Sequence, residues 1–128
     1  VRVYYEDTDA AGVVYHANFL RFMERARSEW LRSKGFEQAH LRDRDGVLLA
    51  VTRAQLEFRR PALLDQALRV SVRLIRHGRV SLEMNQEVRG PDGVVCCSGE
   101  LKLACLDALS LRPCAIPERL LAELSHVE

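Results

Sequence analysis

One change of period governs what this chain can fold into. From Phe19 to Trp30 the large apolar residues recur every third or fourth position; from residue 52 to residue 105 they recur every second one. Phe19, Phe22, Met23, Ala26 and Trp30 fall at i, i+3, i+4, i+7 and i+11, one stripe of an amphipathic helix predicted over 17–34. Arg21, Arg25, Ser28, Glu29 and Arg32 take the other positions, and Gly35 suits the stop. Downstream, Thr52, Ala54, Leu56 and Phe58 alternate with polar residues. So do Leu68, Val70, Val72 and Leu74, then Val80, Leu82, Met84 and Val88, then Leu101, Leu103 and Cys105. Such alternation predicts strands with one buried face, as in antiparallel sheets.

The connections agree. His77-Gly78-Arg79 and Gly90-Pro91-Asp92-Gly93 read as hairpin turns. Residues 1–6 read as a further short strand, 37–44 as a helical turn, and 116–124 as a closing helix opened by Pro117. One long helix and one sheet must each bury an apolar face, so the expected architecture is α+β, with about five antiparallel strands wrapped around the helix. At 128 residues the chain has the length of a single domain over 1–128. An open sheet has edges that need pairing or cover, which predicts a homo-oligomer.

Composition excludes some functions. Nineteen basic residues against eighteen acidic ones leave a formal charge of +1, without the basic excess of a nucleic-acid-binding surface. No run of 18 or more apolar residues exists, so no transmembrane helix is expected. The opening residues read as a strand rather than a secretory leader, which predicts a cytoplasmic protein. Cys96, Cys97, Cys105 and Cys114 match no zinc or CxxC spacing and are expected to be small buried hydrophobes, with Cys96 and Cys97 on opposite faces of a strand.

The chemistry concentrates where the first helix begins, in Tyr5-Glu6-Asp7-Thr8-Asp9-Ala10-Ala11-Gly12-Val13-Val14-Tyr15-His16-Ala17-Asn18. Asp9 lies a few residues before a helix N-terminus and His16 lies at it. The free N–H groups of that terminus, expected at Val14, Tyr15 and Ala17, carry positive partial charge and suit a developing oxyanion. A base or nucleophile beside a polarised carbonyl fits acyl transfer to water. The bland readings are that Asp7 and Asp9 cap a turn, that His16 sits on the surface and that Tyr5 only packs.

Those residues, followed by Glu24-Arg25-Ala26-Arg27, the Arg60-Pro61-Ala62 turn and Leu106-Asp107-Ala108, resemble the hotdog-fold acyl-CoA thioesterases of the YbgC type, relatives of 4-hydroxybenzoyl-CoA thioesterase found with the Tol–Pal envelope system. The resemblance implies the hotdog fold and hydrolysis of an acyl-CoA or acyl-carrier thioester. Asp9 would be nucleophile or general base, His16 a catalytic partner, and Tyr5 a support for Asp9. Arg59 and Arg60 are candidates for coenzyme A phosphates, since guanidinium suits phosphate geometry. No metal or prosthetic group is implied, because coenzyme A belongs to the substrate. Family members are dimers or tetramers, so a homodimer or homotetramer is expected, cytoplasmic and peripheral to the inner membrane. Three rivals remain: an aromatic acyl-CoA thioesterase, a hotdog dehydratase, and a binding module that recruits acyl carrier protein or an assembly partner.

Overall fold

A computed structural model describes residues 1–124. The long helix α1 spans Asn18–Ser33; a short turn of helix α2, Gln38–His40, runs into a wide helical turn at Leu41–Asp45. Five strands follow: β1 Val47–Phe58, β2 Arg69–Val70, β3 Arg73–His77, β4 Ser81–Arg89 and β5 Val95–Asp107. Helix α3, Glu118–Leu124, closes the described chain. The sheet is antiparallel in the order β1-β5-β4-β2, with β3 beside β2 on the same edge of β4. This is the expected architecture of one long helix against a five-stranded antiparallel sheet.

The identity of the fifth strand differs from expectation. Residues 1–6 form no strand: Arg2 makes a single bridge to Ala67, and Tyr5–Asp7 coils into a 3-10 turn. The Asp7 carboxylate accepts the Tyr4 amide at 2.9 Å and pulls the chain out of the extended form. The stretch 68–74 breaks into β2 and β3 because the Ser71 hydroxyl accepts the Glu87 amide in place of a backbone carbonyl.

Helix α1 lays Phe19, Phe22 and Met23 against Met84, Val88, Cys97, Leu101 and Leu103. Each large side chain buried there contributes about 1.5–3 kcal/mol. Helix α3 brings Leu120 and Leu124 onto a second cluster with Leu31, Phe36, Leu82 and Cys105, and Trp30 touches both clusters. Gly99 of β5 is pressed from both sides: an added Cβ would meet Leu56 Cδ2 of β1 at 2.6 Å and Met23 Cε of α1 at 3.1 Å.

Two bulges change which side chains face inward. In β1 the register slips between Val51 and Arg53, leaving Thr52 unpaired in the ladder. Thr52 therefore drops out of the predicted buried face. Ala54 and Phe58 pair with Leu101 and Cys97, yet both are exposed, because β1 is the sheet edge and no strand among the described residues pairs with its outer side. Where β4 pairs β5, the register slips between Val88 and Arg89 of β4 and skips Cys96 of β5, and Cys96 and Cys97 both join the core instead of facing opposite ways.

Candidate active site

Residues 8–14 fold back on themselves just before α1. Thr8 bridges Val14, the Asp9 amide donates to Val13 O at 2.9 Å, and the Gly12 amide donates to Asp9 O at 3.0 Å. Gly12 has φ +81°, a left-handed conformation that costs a residue with a Cβ. Asp9 Oδ1 accepts the Ala11 amide at 2.8 Å, while Oδ2 accepts no hydrogen bond among the described residues. The hairpin is docked on the segment after β1: Val13 bridges Leu63, and the Val14 amide donates to Ala62 O at 2.8 Å. Its other flank is held by buried Asp7, whose carbonyl accepts the Tyr15 amide and Asn18 Nδ2, both at 3.0 Å.

These bonds narrow the expected oxyanion window. The amides of Val14 and Tyr15 are engaged by Ala62 and Asp7, so neither is free to receive a carbonyl oxygen. Among the described residues, the His16 and Ala17 amides meet no acceptor. They are the unfilled donors of the helix start, where the dipole favours negative charge. The Val14 side chain is buried, and Tyr15 tilts against the His16 ring with centroids 4.6 Å apart.

His16 opens onto a cavity of about 310 Å³ bounded by Val13, Val14, Phe19, Phe58, Arg59, Arg60 and Pro61. Phe58 meets the His16 ring edge-on at 5.9 Å and Phe19 at the same distance. An apolar floor with one imidazole and two guanidiniums at its margins suits an acyl group whose leaving portion is anionic. Larger hollows, of about 810 and 770 Å³, lie along β3 and between α1 and β2. Neither is lined by any residue of the hairpin.

Arg59 and Arg60 leave the sheet together, both amides donating to Cys96 O. Each guanidinium already holds a carboxylate: Arg59 with Glu57 at 2.6 Å, Arg60 with Asp92 at 2.7 Å. The Val94 amide and Arg60 hold the Asp92 carboxyl below its ordinary range. Asp9 lies across the hairpin from Val13 and is not part of the cavity wall. Tyr5 is not brought in either: the residue is 83% exposed and enters the hairpin through its carbonyl, which accepts from Thr8 Oγ1 and the Thr8 amide.

Sequence reasoning missed two pieces of the frame. Asn18, which ties α1 to Asp7, carried only the weak signal of a polar residue at a helix start. The other is Arg27 with Gln86. Both are buried; Arg27 Nη1 donates to Gln86 Oε1 at 2.9 Å and Gln86 Nε2 donates to Met23 O at 3.0 Å. Gln86 occupies an inward position of β4 between Met84 and Val88, which was the available clue. Among the described residues no group of three His, Cys, Asp or Glu side chains could hold a metal ion.

The thioesterase-like superfamily model matches residues 3–124. The chain is 38% identical over 126 residues to the acyl-CoA thioester hydrolase YbgC of Escherichia coli O6:H1, covering 98% of this chain and 93% of that protein. It is 34% identical to the acyl-CoA thioesterase YbgC of Haemophilus influenzae, over 100% of this chain and 93% of the other. Among solved structures, the hypothetical protein TT1821 of Thermus thermophilus superposes with a TM-score of 0.92 at 29% identity, covering 100% and 96% of the two chains. A 1,4-dihydroxy-2-naphthoyl-CoA thioesterase from Synechocystis superposes at 0.90 with 20% identity, over 99% and 93%, a likeness of fold. With this hairpin, this sheet order and these relatives, the chain belongs to the thioesterase-like superfamily, as a thioester hydrolase of hotdog fold.

Proposed function

We propose that this enzyme hydrolyses acyl-coenzyme A thioesters at the start of α1, with Asp9 and His16 as its working side chains. The observation that carries the reading is the pair of unfilled amides at His16 and Ala17, beside an imidazole that opens onto an apolar cavity. The thioester carbonyl oxygen rests on those amides, which stabilise the charge that builds on it during attack. Asp9 Oδ2 takes a proton from water as the water oxygen adds to the carbonyl carbon, or attacks that carbon itself to give an acyl anhydride that water then hydrolyses, freeing the acid and the Asp9 carboxylate. The carbon–sulfur bond then breaks, and the thiolate leaves with a hydrogen bond from His16. The names of the two YbgC relatives support acyl-CoA as substrate. A place beside the Tol–Pal system rests on the resemblance of the Tyr4 to Asn18 signature.

Asp9 is exposed and outside the cavity wall of one protomer, so we propose that the working site is completed in a homodimer. Edge strand β1 supports this: twelve residues long, it leaves Val51 44% exposed and Phe58 53% exposed.

The test is thiol release from a panel of short aliphatic, long aliphatic and aromatic acyl-CoAs, run on the parent and on Asp9→Asn. The asparagine keeps an acceptor for the Ala11 amide and removes the base. The expected result is a loss of kcat on the order of 100-fold or more with the fold retained. Turnover near the parent rate removes Asp9 from the mechanism. A stable complex with acyl carrier protein at negligible parent turnover turns the reading to a binding module.

A further inference from the structure

The four cysteines are free, and they are not equivalent. Cys96 and Cys97 are buried neighbours whose sulfurs face the carbonyls of Val94 and Ser98. Cys105 and Cys114 instead face each other, with their sulfurs 3.8 Å apart. The backbone explains why. Beyond the start of β4, the open edge of β5 is taken by the segment leading to α3: Leu106 bridges Pro113, the Asp107 amide donates to Arg112 O, and the Cys114 amide donates to Cys105 O at 2.9 Å. Cys105 and Cys114 are thus directly opposed residues of an antiparallel pair. Such residues have Cα atoms about 5.5 Å apart, inside the 4.4–6.8 Å that a disulfide spans. The sulfurs, already 3.8 Å apart, need to close to about 2.05 Å to bond.

We propose that Cys105 and Cys114 form a reversible dithiol modification site whose co-reactant is a small-molecule disulfide. The two thiols divide the work by access. Cys114 is half-buried and Cys105 is fully buried, its sulfur also against Ala115 O at 3.7 Å. The Cys114 thiolate attacks one sulfur of the small disulfide; that sulfur–sulfur bond breaks, and one small thiol leaves with a proton. Cys105 then gives up its proton and attacks the Cys114 sulfur, releasing the second small thiol. The protein loses two electrons and two protons, and the small disulfide gains them. The closed bond fastens β5 to the segment that carries Ile116 and α3, so it tightens the second core cluster. Neither cysteine borders the His16 cavity, and oxidation leaves thioester turnover unchanged.

The experiment treats the full chain with oxidised glutathione and reads peptide masses without reduction. Trypsin does not cut between Arg112 and Pro113, so peptide 103–119 holds Cys105 and Cys114, and Cys96 and Cys97 fall in another. The expected product is peptide 103–119 lighter by two hydrogen masses, restored by dithiothreitol, with a Tm increase of about 5 °C. Cys114→Ser abolishes the mass change and the Tm increase and keeps the parent melting temperature of the reduced protein. The proposal is overturned if peptide 103–119 stays reduced, or if it keeps a glutathionyl group without closing. It is also overturned if the mass change persists in Cys114→Ser.

Discussion

At the residue scale, two glycines separate two kinds of constraint. Gly12 has open space around it and a left-handed backbone; Gly99 has no unusual torsion but is pressed by Leu56 and Met23. Gly12→Ala is expected to cost about 1–2 kcal/mol from backbone strain alone, and to lower kcat further because the turn it closes carries Asp9. Gly99→Ala is expected to cost about 1–3 kcal/mol by overpacking. Its partner Leu56→Ala, in the same protein, should recover part of that loss; urea denaturation of the two single variants and the double reads it. If Gly99→Ala melts like the parent, helix and sheet are not in contact there. His16→Ala is expected to lower kcat with the fold kept, since the imidazole makes no side-chain hydrogen bond among the described residues and its ring contacts are to Tyr15 and Phe58.

At the element scale, α1 is held on the sheet by more than its apolar stripe. Gln86 receives Arg27 and returns a hydrogen bond to the Met23 carbonyl. Burial lowers the Arg27 pKa, and nearby Glu24 opposes that shift; the desolvated guanidinium gives its side-chain hydrogen bond to the Gln86 amide. Gln86→Leu leaves that charge without its acceptor and is expected to destabilise by about 3–5 kcal/mol, whereas Arg27→Met, which removes the charge, should cost less. Equal losses in thermal melts would show that the pair is not a unit. The same elements show how far the sequence could be read. The helix was legible because Phe19, Phe22, Met23 and Trp30 keep one period throughout. The strands were legible where alternation was unbroken, as in β4. Alternation cannot reveal a bulge, which is why Thr52 and Cys96 were misplaced, nor the pull of the Asp7 carboxylate that ended the expected first strand. Within the hairpin the resemblance proposes Asp9 and His16, but which amides stay free is set by the Ala62 and Asp7 carbonyls, which no local pattern announces.

At the scale of the whole molecule, the buried thiols set an alkaline limit. Burial is the first cause that raises Cys97, to about 11, and Cys105, to about 12, with the Cys114 hydrogen bond adding to the latter. An exposed thiol in the unfolded chain titrates near 8.5. Above that pH the unfolded state has lost protons that the folded state keeps, so stability falls as pH rises. The loss is expected from about pH 8.5 upward through the folded values near 11 and 12. Urea midpoints measured across that range should fall less steeply in Cys97→Ala than in the parent; parallel curves would remove Cys97 as a cause. The proposed dimer belongs to this scale too. Proline at exposed Thr52, on the β1 edge, is expected to yield monomers in analytical ultracentrifugation, with activity lost in parallel.

The two arginines at the mouth of the cavity arrive already neutralised, and this changes how a phosphate could be met there. A polyanion reaching Arg59 or Arg60 evicts Glu57 or Asp92 instead of finding a bare cation. Docking becomes a swap of one anion for another, so its sensitivity to ionic strength is shallower than two guanidiniums would suggest, and neutralising Glu57 or Asp92 should tighten capture.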